Sequence, residues 1–497
     1  MMQEHLIKVT NVSKSFAGVQ ALKNIDLTIK RGEIRCLAGE NGCGKSTLIK
    51  IISGAHVPDE GDIEINGKHY KRLHPIEAIR EGIQVIYQDF SIFPNLTAAE
   101  NIALNSELAK NRRFVNWKRV KSIAKEAIRK IDVNIDLDAK VENLSVADKQ
   151  LIAISRALLQ NAKLIIMDEP TTALTQKEVN ALFKVVKSLQ QKGISILFVS
   201  HKLDEVFDLA EKITILRNGQ NVIDGDTSQF DKEKFVYYMT GRKISESHYE
   251  LQQESNQCLL KVEKLSQKGS FYDISFDLYS GEILGITGLL GSGRTELAMA
   301  LFGLNPADSG RIYVEDRLTE IKTVQDAIKN RIAYVPEDRL TEGLFLQQSI
   351  GRNIIISTVE KLLNKYKLID SEKMNIQINH WVKELNIATP STHLPVQALS
   401  GGNQQRVVLA KWLATNPKIL ILNGPTVGVD IGSKTDIHQI IRELAQQGVG
   451  VIVISDDIPE LLHNCNRILI MRKGRIVGEF GGKSITEKEL AHQLSAT

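Results

Sequence analysis

Short apolar runs alternate with helical patterns along this chain, an order that predicts parallel strands joined by crossover helices. Ile34-Arg-Cys-Leu37 reads as a strand, and Thr47-Leu-Ile-Lys-Ile-Ile52 opens the helix after it. Leu164-Ile-Ile-Met167 and Leu197-Phe-Val-Ser200 read as further strands, the first ending in Asp168-Glu169 and the second capped by His201. Even the longest apolar stretches, such as Gly448-Val-Gly-Val-Ile-Val-Ile-Ser455, are only strand-length. Spanning a bilayer takes about 20 apolar residues, so any work at a membrane needs another chain for the crossing.

The pattern occurs twice. Gly39 pairs with Gly288 and Gln88 with Glu337, both at an offset of 249 (288 − 39). Leu144-Ser145 then matches Leu399-Ser400, Leu164–Met167 matches Ile419–Leu422, and Arg217-Asn-Gly219 matches Arg472-Lys-Gly474, all at 255 (399 − 144). A period near 250 is a domain duplication with a six-residue insertion (255 − 249), not a solenoid. The polar stretch 242–256 is the expected linker between a first domain, 1–241, and a second, 257–497.

Composition adds little beyond exclusions. Of 497 residues, 42% are apolar and 25% charged, an ordinary globular balance with room for two or more cores. A net charge of +4 is too small to point to nucleic acid. Cys36, Cys43, Cys258 and Cys465 show no C-x-x-C spacing, which fits a reduced, cytosolic chain and not a zinc site or disulfide scaffold. The first ten residues have no basic segment leading into an apolar core, so they do not read as a secretion signal.

Chemistry enters with the glycines. Gly39-Glu40-Asn41-Gly42-Cys43-Gly44-Lys45-Ser46-Thr47 fits G-x-x-x-x-G-K-[ST] without a mismatch. Such a loop closes backbone N–H groups around phosphates, its lysine reaches the β/γ-phosphates, and its Ser46 hydroxyl holds Mg²⁺. Cys43 reads as a small side chain in a small position. Asp168 is suited to hold the metal, and Glu169 to polarise an attacking water as general base. His201 is suited to the γ-phosphate, Gln88 to the metal and the water, and Phe16, 23 residues before Gly39 (39 − 16), to stacking on adenine. The second loop, Gly288-Leu-Leu-Gly-Ser-Gly-Arg-Thr295, keeps the glycines but has Arg294 in place of lysine.

Leu399-Ser-Gly-Gly-Asn-Gln-Gln405 lies between that loop and the strand Ile419–Leu422, where it resembles the signature of ATP-binding cassette (ABC) ATPases. The resemblance implies an α/β fold of two tandem P-loop NTPase domains. Each would have a RecA-like parallel core, an antiparallel β subdomain and a helical signature subdomain. It implies ATP and Mg²⁺ as cofactors, with ATP sandwiched between one cassette and the signature of another. The site of the first cassette would then gain Ser400, Gly401, Gly402 and Asp430. The second-loop Gly-Arg-Thr-Glu, Pro336-Glu-Asp-Arg339 and Met239-Thr-Gly-Arg242 look like the ATPase subunits of bacterial monosaccharide importers. That subgroup implies a place on the cytoplasmic face of the inner membrane. Its partners would be a permease dimer docking near Gln88 and Pro336–Arg339 and, indirectly, a periplasmic sugar-binding protein. No nucleic acid and no direct sugar contact are implied. The alternative is a soluble twin-cassette translation factor on the ribosome, whose kind joins intact halves by a long charged linker.

The departures from the family pattern gather in one site. Asn423-Gly424 stands where an Asp-Glu pair belongs, Asp456 where the histidine belongs, and Thr175 where the first site would find Asp430. The first signature, Leu144-Ser-Val-Ala-Asp-Lys-Gln150, has lost both glycines. Asp456 is expected close to the γ-phosphate of the second site. Two like charges about 4 Å apart repel by roughly 4 kcal/mol at an effective dielectric of about 20. The second site is therefore expected not to hydrolyse nucleotide.

Overall fold

The computed structural model describes residues 5–16, 19–108, 115–171, 174–200, 202–242, 257–482 and 484–495. The chain divides into two compact units, Met1–Ile244 and Ser245–Thr497. Most of the expected linker, 243–256, lies outside the described residues.

In the first unit a four-stranded antiparallel sheet runs in the order Val19–Lys30, His5–Phe16, Glu60–Ile65, Lys68–Tyr70. A six-stranded sheet follows the order Gln220–Asp226, Lys212–Arg217, Ile34–Ala38, Ser195–Val199, Leu164–Asp168, Ile83–Ile86. All its neighbours are parallel except at the Gln220–Asp226 edge. Ile34–Ala38 and Ser195–Val199 are buried throughout, so both are mostly apolar without alternation, and the one charge among them, Arg35, is paired with Glu33 and Asp224.

The helix Lys45–Ile52 starts two residues before the predicted Thr47, directly from Gly44 at φ 106°. A Cβ on Gly44 would lie 2.5 Å from Leu22 Cδ2 and 2.7 Å from the Ala21 carbonyl, so the cradle can turn into its helix there only on glycine. Leu48, Ile49, Ile51 and Ile52 join Ile7 and Val9 of one sheet and Leu164, Ile166 and Leu197 of the other in a single core. A third layer, the helices Ala98–Leu108, Trp117–Arg129 and Val146–Leu159, packs around its own cluster of Ala99, Ile102, Ala124, Ile128 and Ile152.

The second unit repeats both sheets strand for strand, from Cys258–Gln267 to Arg475–Gly481. Its helical layer comprises Ile350–Ile355, Ser371–Glu384 and Gly401–Leu413. Part of the insertion inferred from the two offsets is a single wide helical turn, Arg339–Gly343, just past Glu337. Beyond it Asn101 and Asn353 do the same job, each pinning the backbone of a phenylalanine (Phe93 or Phe345) with two side-chain hydrogen bonds.

Candidate functional site

Four parallel strands of the first unit deliver their carboxyl ends to one edge, the place where open α/β sheets bind ligands. Ile34–Ala38 leads to the cradle, Ser195–Val199 to Ser200, Leu164–Asp168 to the two carboxylates, and Ile83–Ile86 to Gln88. Lys45 is buried, and its ammonium donates to the carbonyls of Gly39 at 2.6 Å and Glu40 at 2.8 Å. It is folded back over the loop that a phosphate would occupy. Ser46 is exposed at the first turn of the helix.

Asp168 is held above the usual carboxylate range, first by burial and then by the charge of Glu169, with Lys45 and Lys50 pulling the other way. Two adjacent carboxylates and a serine hydroxyl are the oxygen donors that a hard divalent cation takes. Glu169 has φ 47°, in the left-handed region, and its amide donates to the Val199 carbonyl at 3.1 Å. Gln88 is exposed just beyond the sheet edge. Burial raises the Cys43 thiol, consistent with a packing role for that side chain. Phe16 ends its strand 41% exposed, with its ring 5.3 Å from that of His56 and 5.5 Å from the Lys14 ammonium.

His201 lies outside the described residues. Its setting does not: Ser200 donates to Glu205 at 2.8 Å, and Thr171 donates to the other oxygen of the same carboxylate. Buried Glu205 thus ties the loop before His201 to the loop after Glu169. Glu460, 255 residues on, binds Ser455 and Thr426 in the same way and adds His438 at 2.7 Å. Burial pushes the Glu460 carboxyl up, but the hydrogen bond and charge of His438, with Lys434 and Ser455, bring it down to about 2. Neither glutamate stood out in the sequence; only their shared offset could have singled them out.

The second cradle corrects one expectation. Asp456 is not a bare charge awaiting a phosphate, because it forms an ion pair with Arg294, whose guanidinium also donates to the Gly288 carbonyl at 2.6 Å. The two substitutions compensate each other, so the expected repulsion of about 4 kcal/mol overstates the charge presented there. At the metal position, Asn423 is buried and its amide lies 3.4 Å from the Thr295 hydroxyl, joining groups that in the first unit are Asp168 and Ser46. Gly424 takes φ 60°, close to that of Glu169. A Cβ there would meet Val427 Cγ2 at 2.9 Å and Glu337 Cγ at 3.0 Å.

The signatures differ at their helix starts. Ser145 accepts the Asp148 amide at 3.1 Å and donates to the Asp148 carboxylate at 2.8 Å, so its hydroxyl is spent on its own helix. Ser400 caps no amide of the helix Gly401–Leu413 and instead takes the Asn403 side chain at 3.0 Å. Among the described residues that leaves the first-turn N–H groups of the second signature without a cap from Ser400, the arrangement that suits an anion. Asp430 caps the next helix, Ile431–Gln446, through the Ser433 amide at 2.8 Å, and Gly402 packs against that same Ser433. Thr175 caps its own helix in a box with Glu178.

The ABC transporter family matches residues 22–172 and 271–427. Ribose import ATP-binding proteins RbsA are similar over nearly the whole chain. The protein from Bacillus licheniformis is 39% identical over 97% of this chain and 98% of its own length. That from Clostridium perfringens strain SM101 is 41% identical over 98% and 97%. That from Bacillus subtilis strain 168 is 38% identical over 97% and 98%. A solved ADP-bound ATP-binding cassette of an ABC transporter is 27% identical, covering 48% of this chain and 99% of its own, with a TM-score of 0.43. Both matched segments begin in the antiparallel sheet ahead of a cradle and end beyond the strand that carries Asp168 or Asn423, and on that footing this chain belongs to the ABC transporter family, as an ATPase with two cassettes in one polypeptide.

Proposed function

We propose that this chain energises uptake of a monosaccharide or related carbohydrate through a separate membrane permease, hydrolysing ATP at the first cassette only. The observation that carries the reading is the pairing of an intact cradle with Asp168 and Glu169 in one unit, against Arg294, Asn423 and Gly424 in the other. Ser46, Asp168 and Gln88 would hold Mg²⁺, which neutralises charge on the bound phosphates. Phe16 stacks on the adenine. The Gly39–Thr47 backbone and Lys45 bind the phosphates, with His201 at the γ-phosphate. Glu169 takes a proton from the attacking water, and Gln88 orients that water. Ser400, Gly401, Gly402 and Asp430 close over the nucleotide from a second cassette, of this chain or another copy.

The import subunits similar to this chain are named for ribose, which supports a sugar as cargo. Among the described residues no helix is long and apolar enough to cross a membrane, which fits a peripheral subunit on the cytoplasmic face of the inner membrane. A permease dimer, docking near Gln88 and Pro336–Arg339, and a periplasmic binding protein would complete the importer. Proteoliposomes carrying that permease, with binding protein inside and this chain outside, test the reading. Phosphate release should rise with loaded binding protein for one of ribose, galactose, arabinose or xylose. Release indifferent to every sugar, with the chain sedimenting with ribosomes, would replace this reading with the translation-factor alternative.

A further inference from the structure

Between Gln88 and the helical layer the backbone makes a turn that something must hold. The Phe90 amide donates to the Tyr87 carbonyl at 2.8 Å, closing a turn that carries Gln88 at its first corner. Phe90 and Ser91 then take φ 58° and 46°, the left-handed region that side chains avoid. Their carbonyls point to one guanidinium: Arg156 donates to Ser91 O at 2.7 Å and to Phe90 O at 3.0 Å. Arg156 is half-buried in the last turn of the helix Val146–Leu159. The strand before the turn, Ile83–Ile86, runs parallel to Leu164–Asp168 with Ile86 opposite Met167, one residue before Asp168. The turn that Arg156 grips thus follows directly on a strand in register with the one that carries the carboxylates.

The same contact recurs in the second unit. Lys411, 255 residues after Arg156 (411 − 156) and on the matching helix, is buried and donates to the Gly343 carbonyl at 2.8 Å. Gly343 ends the turn Arg339–Gly343 that follows Glu337, the counterpart of Gln88. The two halves have diverged at Lys45, Asp168 and Glu169, yet both keep a cation tying this loop to that helix. The forked arginine, able to hold two carbonyls at once, stands in the half that has the general base.

We propose that Arg156 is the positioning residue for Gln88: by holding the Phe90 and Ser91 carbonyls it keeps the glutamine where it can orient the attacking water. This rests on the role given to Gln88 above.

The test is a double-mutant cycle on the full chain, read as kcat and KM for ATP by phosphate release. Arg156→Ala should lower kcat about tenfold, with KM for ATP within about twofold, as a displaced positioning group does. In a Gln88→Ala background the same change should cost nothing further. Arg156→Lys, holding one carbonyl as Lys411 does, should recover most of the rate. Losses that multiply in the double variant, an unchanged kcat in Arg156→Ala, or a raised KM at constant kcat would each overturn the proposal. If circular dichroism shows Arg156→Ala unfolded, Arg156→Gln enters the same cycle, and full activity in that variant overturns it equally. A wild-type chain that releases no phosphate would contradict the proposed function, and so is told apart from a failure of this inference.

Discussion

The two phosphate cradles of this protein share a backbone and almost none of their chemistry. Both turn into their helices on a left-handed glycine, Gly44 at φ 106° and Gly293 at φ 93°, and both helices bury the same face. In the first, a lysine folds onto the carbonyls of its own loop; in the second, an arginine is satisfied by one carbonyl and by Asp456. The position after the carboxylate strand is left-handed in both units, filled by Glu169 in one and by Gly424 in the other. A non-glycine residue there costs on the order of 1–3 kcal/mol. That cost is borne at Glu169, the proposed general base, and relieved at Gly424. The cradle is kept by packing between two sheets, so it outlives the loss of its chemistry.

The contrast is most open to attack at Glu169. Glu169→Gln should lower steady-state phosphate release by about 10²–10⁴, the usual worth of a general base. A residual rate near half of wild type would mean that the second cradle turns over too, and the contrast would fall. Rebuilding the second site is a milder trial. Asn423→Asp with Gly424→Glu puts a side chain at φ 60° against Val427 and Glu337, and should lower stability by roughly 1–3 kcal/mol in denaturant melts. The rapid phosphate burst of that variant should stay at the wild-type amplitude, and a doubled burst would undo the comparison.

Acid sharpens it further. Because burial and Glu169 raise the Asp168 pKa, this carboxyl keeps its proton to higher pH than a free aspartate. Its protonated form stabilises the folded chain at low pH, and that contribution is lost as pH rises through the folded value. If Asp168 holds magnesium as proposed, the metal must displace the proton, and its titration midpoint, followed with a fluorescent nucleotide, should move to higher concentration as pH falls. Glu169→Gln removes the second cause of the shift and should shrink this dependence.

Arg294→Ala should change kcat by less than about tenfold, or roughly 1.4 kcal/mol, where Lys45→Ala abolishes turnover. Equal losses from the two cradles would end the asymmetric reading. Smallest of all is the ion pair itself. Asp456 is 71% exposed, so Asp456→Ala should cost no more than about 1 kcal/mol of stability.

Much of this was legible in one dimension. The duplication, both cradles, the carboxylate strand and the imbalance between halves follow from residue types at short spacings, where a strand or a glycine loop has to declare itself locally. The two sheets and the helical layer of each unit agree with the fold that the resemblance implied. Three things were not legible. Arg156 reads as one more basic residue in a helix, and only its contact with carbonyls 65 and 66 residues away gives it a task. Glu205 and Glu460 look like surface glutamates until burial places each between two loops. Asp456 reads in the sequence as a lone charge that would repel a nearby phosphate, because nothing there shows Arg294 to be its partner.

What the linear order of residues determined by itself is which groups exist: one complete set of phosphate chemistry, and one set with its lysine, aspartate, glutamate and histidine replaced. Folding decided which of them meet. The strand Ile283–Gly288 lies beside Gly450–Ile454, with Ile286 opposite Ile454, and that pairing brings Asp456 to Arg294 across 162 residues of chain (456 − 294). Short-range patterns report what a segment can do with its own backbone, but the partner of a charge is set by the order of strands in a sheet, which is settled only when the whole core is buried together.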